Sequence, residues 1–215
     1  MLLALEGIAG AGKSTLRDRL LATAQAEGIP LSHIGQFSWL SHSATRVLIR
    51  LRAGHGGDEQ ESIEAAAQDL ALHSRFNIAL ALTEGPVIAD RLTLSTACLL
   101  ALLHRQPVDA YVERLAEQTR ARPQLTVLLT TAPDICHTRV TRRATERRFT
   151  EQPDAAARLA DLYNEAADAW TKTTGLPVLK HPCTTHADLE ALVDTCMEDL
   201  RSTSSTTTPD KEASR

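Results

Sequence analysis

The chain has 215 residues, 43% of them hydrophobic and 23% charged, a profile suited to one packed core burying roughly two-thirds of the surface the unfolded form exposes. A net charge of −4 gives no overall basic field and argues against polynucleotide binding. Four scattered cysteines, Cys98, Cys136, Cys183 and Cys196, show neither metal-ligand spacing nor a disulfide framework, and they read as buried, reduced thiols of a cytoplasmic protein. The apolar run at residues 1–5 lacks the basic leader of a signal peptide, and the run at 97–103 falls well short of the roughly 20 residues that cross a bilayer, so no membrane association is expected.

Short apolar runs alternate with longer amphipathic stretches, the pattern of a doubly wound parallel sheet of about five strands with helices on both faces. Residues 2–5 read as a strand, 13–26 as a helix, and 31–34 as a weaker strand. Two helical patterns follow at 43–53 and 59–82, separated by the glycine-rich 54–58. After Glu84-Gly85-Pro86 comes a short strand at 87–89, ending in Asp90-Arg91. Helices are expected at 95–104 and 108–121, and a strong strand at 124–129. Pro133 opens the next helix at its first turn, and a basic stretch runs to Phe149. A helix at 153–170, a strand at 177–180 and a helix at 187–201 complete a domain spanning 1–201. Residues 202–215, rich in Ser and Thr, read as a disordered tail.

The chemistry is clearest between the first strand and the first helix. Gly7-Ile8-Ala9-Gly10-Ala11-Gly12-Lys13-Ser14 matches the pattern G-x-x-x-x-G-K-[ST] in full, in the strand-to-helix context that a phosphate-binding loop requires. The backbone of Gly7, Gly10, Ala11 and Gly12 can approach closely enough for its N–H groups to face phosphate oxygens, and the helix dipole adds attraction. Lys13 is expected to reach the β and γ phosphates of ATP, Ser14 to ligate Mg²⁺, and Thr15 to add a hydroxyl at the α phosphate. Such a loop needs a partner carboxylate at the C-terminal end of a neighbouring strand, and Asp90 fits as a second metal ligand or an acceptor base. Arg91 beside it suits an acceptor phosphate or the charge on the transferring group.

With Glu6-Gly7 leading into that loop, Asp90-Arg91 followed by Leu94-Ser95-Thr96, and residues 126–139 running into a basic segment, the chain resembles the thymidylate kinases and their relatives, the deoxynucleoside kinases, over about residues 2–201. The resemblance implies a small-molecule kinase using ATP and Mg²⁺, Arg91 at the acceptor, a lid at about 142–151 closing over the phosphates, and a homodimer. Arg139, Arg142, Arg143, Arg147 and Arg148 crowd into this part of the chain and would repel one another without an anion to share. Because the phosphate loop has no arginine of its own, Arg143 and Arg148 are the expected partners of the transition-state charge.

The acceptor end departs from the family pattern. Ala9 stands where an acidic residue usually engages the acceptor sugar, and Gly35-Gln36-Phe37-Ser38-Trp39 replaces an Arg-Glu-Pro-Gly-Gly segment. The family's base-lining Tyr and Gln correspond roughly to Leu99 and Leu100. The acceptor pocket is expected to use Gln36, Phe37, Trp39, Gln68, Arg75 and Arg91, with Arg46 and Arg50 as further candidates for a phosphate. Tyr163 and Trp170, seven residues apart on one helix, read as a core stripe. The acceptor is then a nucleoside monophosphate, with a nucleoside or other metabolite, or an ATP-binding switch that transfers nothing, as the alternatives.

Overall fold

The computed structural model describes residues 1–118, 122–143 and 147–204. Its strands are β1 (Leu2–Glu6), β2 (Ser32–Ile34), β3 (Val87–Asp90), β4 (Leu125–Leu129) and β5 (Val178–His181). They form one sheet in the order β2-β3-β1-β4-β5, with every neighbouring pair parallel. The three inner strands are almost continuously apolar, because both of their faces are covered, whereas the edge strands carry Ser, His and Lys and are only half-buried. Pairing of Leu5 with Asp90 and of Glu6 with Leu128 brings the ends of β1, β3 and β4 level. The chain leaves β1 toward one side of the sheet and reaches β4 on the other, so a crevice opens beyond these ends.

The helices are α1 (Lys13–Ala26), α2 (His42–Arg52), α3 (Glu59–His73), α4 (Ala79–Glu84), α5 (Thr93–His104), α6 (Val108–Gln118), α7 (Pro133–Thr141), α8 (Pro153–Thr174) and α9 (His186–Ser204). Helix α5 is apolar on nearly every side and packs against α6 and α8. Among the described residues no helix is long and apolar enough to cross a membrane. All four cysteines are buried and unpaired.

Three expectations are refined. The helix read at 59–82 is interrupted by a π turn at Ser74–Ile78, where an extra residue enters the spiral between α3 and α4. Helix α9 runs to Ser204, into the segment read as tail, and residues 205–215 lie outside the described residues. Residues 119–121, read as the end of a helix, and 144–146, inside the expected lid, also lie outside them. The described part of the lid ends in a 3₁₀ turn at Phe149–Glu151.

Candidate active site

The loop after β1 packs too tightly for a side chain at its glycines. A Cβ at Gly10, where φ is 84°, would meet the Cys136 carbonyl oxygen at 2.4 Å. Lys13, the first residue of α1, is buried, and its ammonium donates to the Gly7 and Ile8 carbonyls at 2.8 and 2.7 Å. Burial, then repulsion from Arg91, holds its pKa well below the ordinary lysine value, against the attraction of Asp90 and Glu6. Ser14 and Thr15 are exposed on the wall of a cavity of about 840 Å³ that also takes in Gly10, Gly12 and Arg143. Ala11 is buried behind the loop, where its carbonyl accepts from the Thr131 hydroxyl at 3.0 Å.

A second cavity of about 340 Å³ adjoins the first. Gln36, Phe37 and Trp39 come to it from the loop after β2, Arg52 from the end of α2, Ser95 and Leu99 from α5, and Leu159 and Tyr163 from α8. Ala9, Asp90, Arg91, Arg148 and Glu151 line both cavities and form the partition between them. A glycine-rich loop at a helix start and a two-part cleft divided by charged side chains are parts that suit a phosphoryl-transfer enzyme. The family model for thymidylate kinase matches residues 5–177. The chain belongs to the thymidylate kinase family. The "Probable thymidylate kinase" of Archaeoglobus fulgidus is similar to it, 28% identical over 178 residues that cover 80% of this chain and 84% of that relative. Membership makes the chain a phosphotransferase of the kind that moves a phosphoryl group from ATP to a nucleoside monophosphate.

In this member the partition is held by a polar cluster that sequence reasoning missed. Arg91 has φ 72°, and its Nη1 donates to the Gly7 carbonyl at 2.8 Å, the Tyr163 hydroxyl at 2.7 Å and the Ser95 hydroxyl at 3.1 Å. Ser95 in turn donates to the Glu6 carboxylate, whose other oxygen accepts from the Leu92 N–H at 2.9 Å. Burial raises the Glu6 pKa, against the pull of Ser95, Arg91 and the Leu92 amide. Tyr163 is therefore more than a member of a core stripe. Its ring is buried with Trp170, but its hydroxyl ties α8 to Arg91. Asp90 is paired through Oδ2 with Arg17 of α1 at 3.1 Å, a contact that spacing alone could not reveal.

The expected acceptor residues divide. Gln36, Phe37 and Trp39 line the second cavity, with the Gln36 amide donating to the Thr96 hydroxyl at 3.2 Å. Gln68 and Arg75 are exposed and do not reach it. Gln68 accepts from the Ser41 hydroxyl at 3.2 Å, and Arg75 lies 5.1 Å from the centre of the Phe76 ring. The inward stripe of α3 runs through Asp69 instead, one residue further along. Arg46 is exposed, and Arg50 is paired with Glu61 at 2.6 Å, so the arginine that α2 delivers is Arg52, which the sequence did not single out. Its guanidinium lies 5.9 Å from the Phe37 ring centre and 5.7 Å from that of Trp39. Burial, then Arg148 and Arg91, lowers its pKa.

Of the basic segment, Arg143 lines the larger cavity and Arg148 both, while Arg142 and Arg147 line neither. Arg139 acts as a staple, donating to the Gly10 carbonyl at 3.2 Å, Cys183 at 2.9 Å and Thr184 at 3.0 Å. It thereby brings residues 183–186, not expected at the site, to the wall of the larger cavity. Arg148 is placed by its neighbour Phe149, which packs so closely on Gly54 after α2 that a Cβ there would lie 2.7 Å from the ring.

Proposed function

We propose that this chain transfers the γ-phosphoryl group of ATP, bound in the larger cavity, to a nucleoside monophosphate in the smaller one, in the cytosol where its unpaired cysteines stay reduced. The observation that carries the choice of acceptor is the charge of the smaller cavity. Among the described residues, Arg52, Arg91 and Arg148 face it against Asp90 and Glu151, and Asp90 is already paired with Arg17. Three guanidiniums with so little compensation suit a phosphate dianion, which each can hold through two parallel bonds, better than a neutral sugar.

Lys13 and the loop amides hold the β and γ phosphates, and Arg148, in the partition, meets the negative charge that develops on the group in transit. Arg143 supports the donor phosphates from the lid. Arg91, clamped through one nitrogen by Gly7, Ser95 and Tyr163, presents the rest of its guanidinium to the acceptor phosphate. A hydroxyl and a carboxylate, Ser14 and Asp90, form an oxygen donor set that fits Mg²⁺, which would supply charge neutralisation between the phosphates. The test is an ATP-consumption assay over a panel of acceptors. Turnover with one or more nucleoside monophosphates is expected, thymidylate included in the panel, and turnover with nucleosides but with no monophosphate would sink the assignment.

A further inference from the structure

Helix α3 carries two buried polar side chains one turn apart, Asp69 and His73, each 1% exposed, and both are directed at the loop after β2. Asp69 accepts from the Ser38 N–H at 3.0 Å on Oδ2, and from the Ser38 hydroxyl at 2.6 Å and the Trp39 N–H at 3.2 Å on Oδ1. Nε2 of His73 meets the Gly35 carbonyl at 2.9 Å. A buried carboxylate is tolerated when several donors converge on it, and here they all come from two successive residues.

What the carboxylate holds is a residue in an unfavourable conformation. Trp39 has φ 57°, in the left-handed region that a bulky side chain rarely adopts. A strained backbone persists where its surroundings over-determine it, and such positions cluster at ligand clamps. The strain does not serve packing. The other tryptophan, Trp170, is a core residue at 1% exposure, whereas Trp39 is 44% exposed at the wall of the smaller cavity. Its ring is tilted 59° to that of Phe37, with the centres 5.0 Å apart, and Arg52 lies over both.

We propose that Trp39 is the platform on which the acceptor's base stacks, and that Asp69 is the positioning residue that holds it there. The proposal rests on the reading of the smaller cavity as the acceptor site. It deepens that reading by orienting the acceptor, with the phosphate toward Arg52, Arg91 and Arg148 and the base on the indole. Asp69 touches no substrate and acts only through the backbone of Ser38 and Trp39.

Because Trp170 is buried, a change of tryptophan fluorescence on adding acceptor reports Trp39. The wild type is expected to be quenched by its preferred nucleoside monophosphate and not by ribose 5-phosphate, which lacks the base. Asp69→Asn sets an amide against the Ser38 and Trp39 donors at similar volume. It should diminish the quench and raise the acceptor KM roughly tenfold, on the scale of one base–aromatic stack. The kcat and the KM for ATP should stay within about twofold, as when ground-state binding alone is lost. Trp39→Leu should reproduce the rise in KM, and Trp39→Phe should restore most of it. Ser38→Ala, which removes one of the three bonds, should shift quench and KM the same way by less, and it carries the test if Asp69→Asn does not fold. Wild-type quench and KM in both Asp69→Asn and Ser38→Ala overturn the proposal. So does a fall in kcat alongside a rise in both KM values, or equal quenching by ribose 5-phosphate. If the wild type turns over no monophosphate, the acceptor assignment itself fails, whatever the variants do.

Discussion

The two halves of the cleft are built by different means. The larger cavity is built around the backbone of one unbroken stretch between β1 and α1, with residues 183–186 stapled to its wall by Arg139. The smaller is made by side chains that reach it from the loop after β2, α2, α5, α8 and the lid. Backbone amides bind any polyphosphate and tolerate change in the residues around them, whereas a wall of separate side chains changes its ligand with each substitution. That difference explains how a family's phosphate machinery can persist while Ala9, Leu99 and Trp39 occupy positions where the family pattern has other residues.

The sharpest way to break the comparison is Arg148, which belongs to both halves. Arg148→Ala should lower kcat by about 10³-fold, the lower range for losing an arginine that meets transition-state charge, while Arg143→Ala, confined to the larger cavity, loses less. Equal effects on single-turnover rates would show that the partition does not distinguish them. On the backbone side, Lys13→Ala should cost about 10²–10³-fold in kcat. Because burial already holds this ammonium's pKa well below its ordinary value, its removal should not lower the melting temperature. Near-normal turnover would remove the loop from the reaction. On the side-chain side, Arg52→Ala should raise the acceptor KM about tenfold or more, the scale of a lost hydrogen bond to a charged group, without changing the KM for ATP. A rise in both values would mean that the two cavities are not separate sites.

The smallest expected effect concerns the cluster behind the partition. Burial raises the Glu6 pKa, so the folded protein binds this proton more tightly than the unfolded chain. The protonated form's contribution to stability is complete below the ordinary carboxylate value of about 4.3 and is lost as pH rises through the raised folded value. Glu6→Gln has no such loss, and its amide can still accept from Leu92 and bond Ser95. Its melting temperature relative to wild type should therefore climb between pH 4 and pH 7, and parallel curves over that range would sink the assignment.

Legibility followed the same division. The parallel sheet was readable because both faces of its inner strands are covered, which writes unbroken apolar runs into 2–5, 87–89 and 124–129. The loop at residues 7–14 was readable because its bonding is local and needs particular residues at particular spacings. Gln68 was chosen by its distance along the chain from Asp90, and distance alone cannot say that its neighbour Asp69 is the residue that turns inward to a distant loop. Arg50 and Arg52 are equally basic in sequence, and the first is claimed by Glu61 while the second is free to reach the cavity.

What the sequence alone determined is the glycine-rich loop between strand and helix, the covered sheet and the reaction class, since each depends on neighbours along the chain or on burial of whole strands. What only the tertiary structure decided is which groups come together: Arg91 with Tyr163 and Ser95, Asp90 with Arg17, Asp69 with the Trp39 amide, and Arg148 and Arg52 on the wall of one cavity. Apart from Arg91 and Ser95, which are near neighbours in the chain, those pairs join residues from different elements and depend on where α1, α2, α3, α8 and the lid come to rest on the sheet. The backbone can promise a phosphate site in advance, but the acceptor is chosen by contacts that do not exist until the chain has folded.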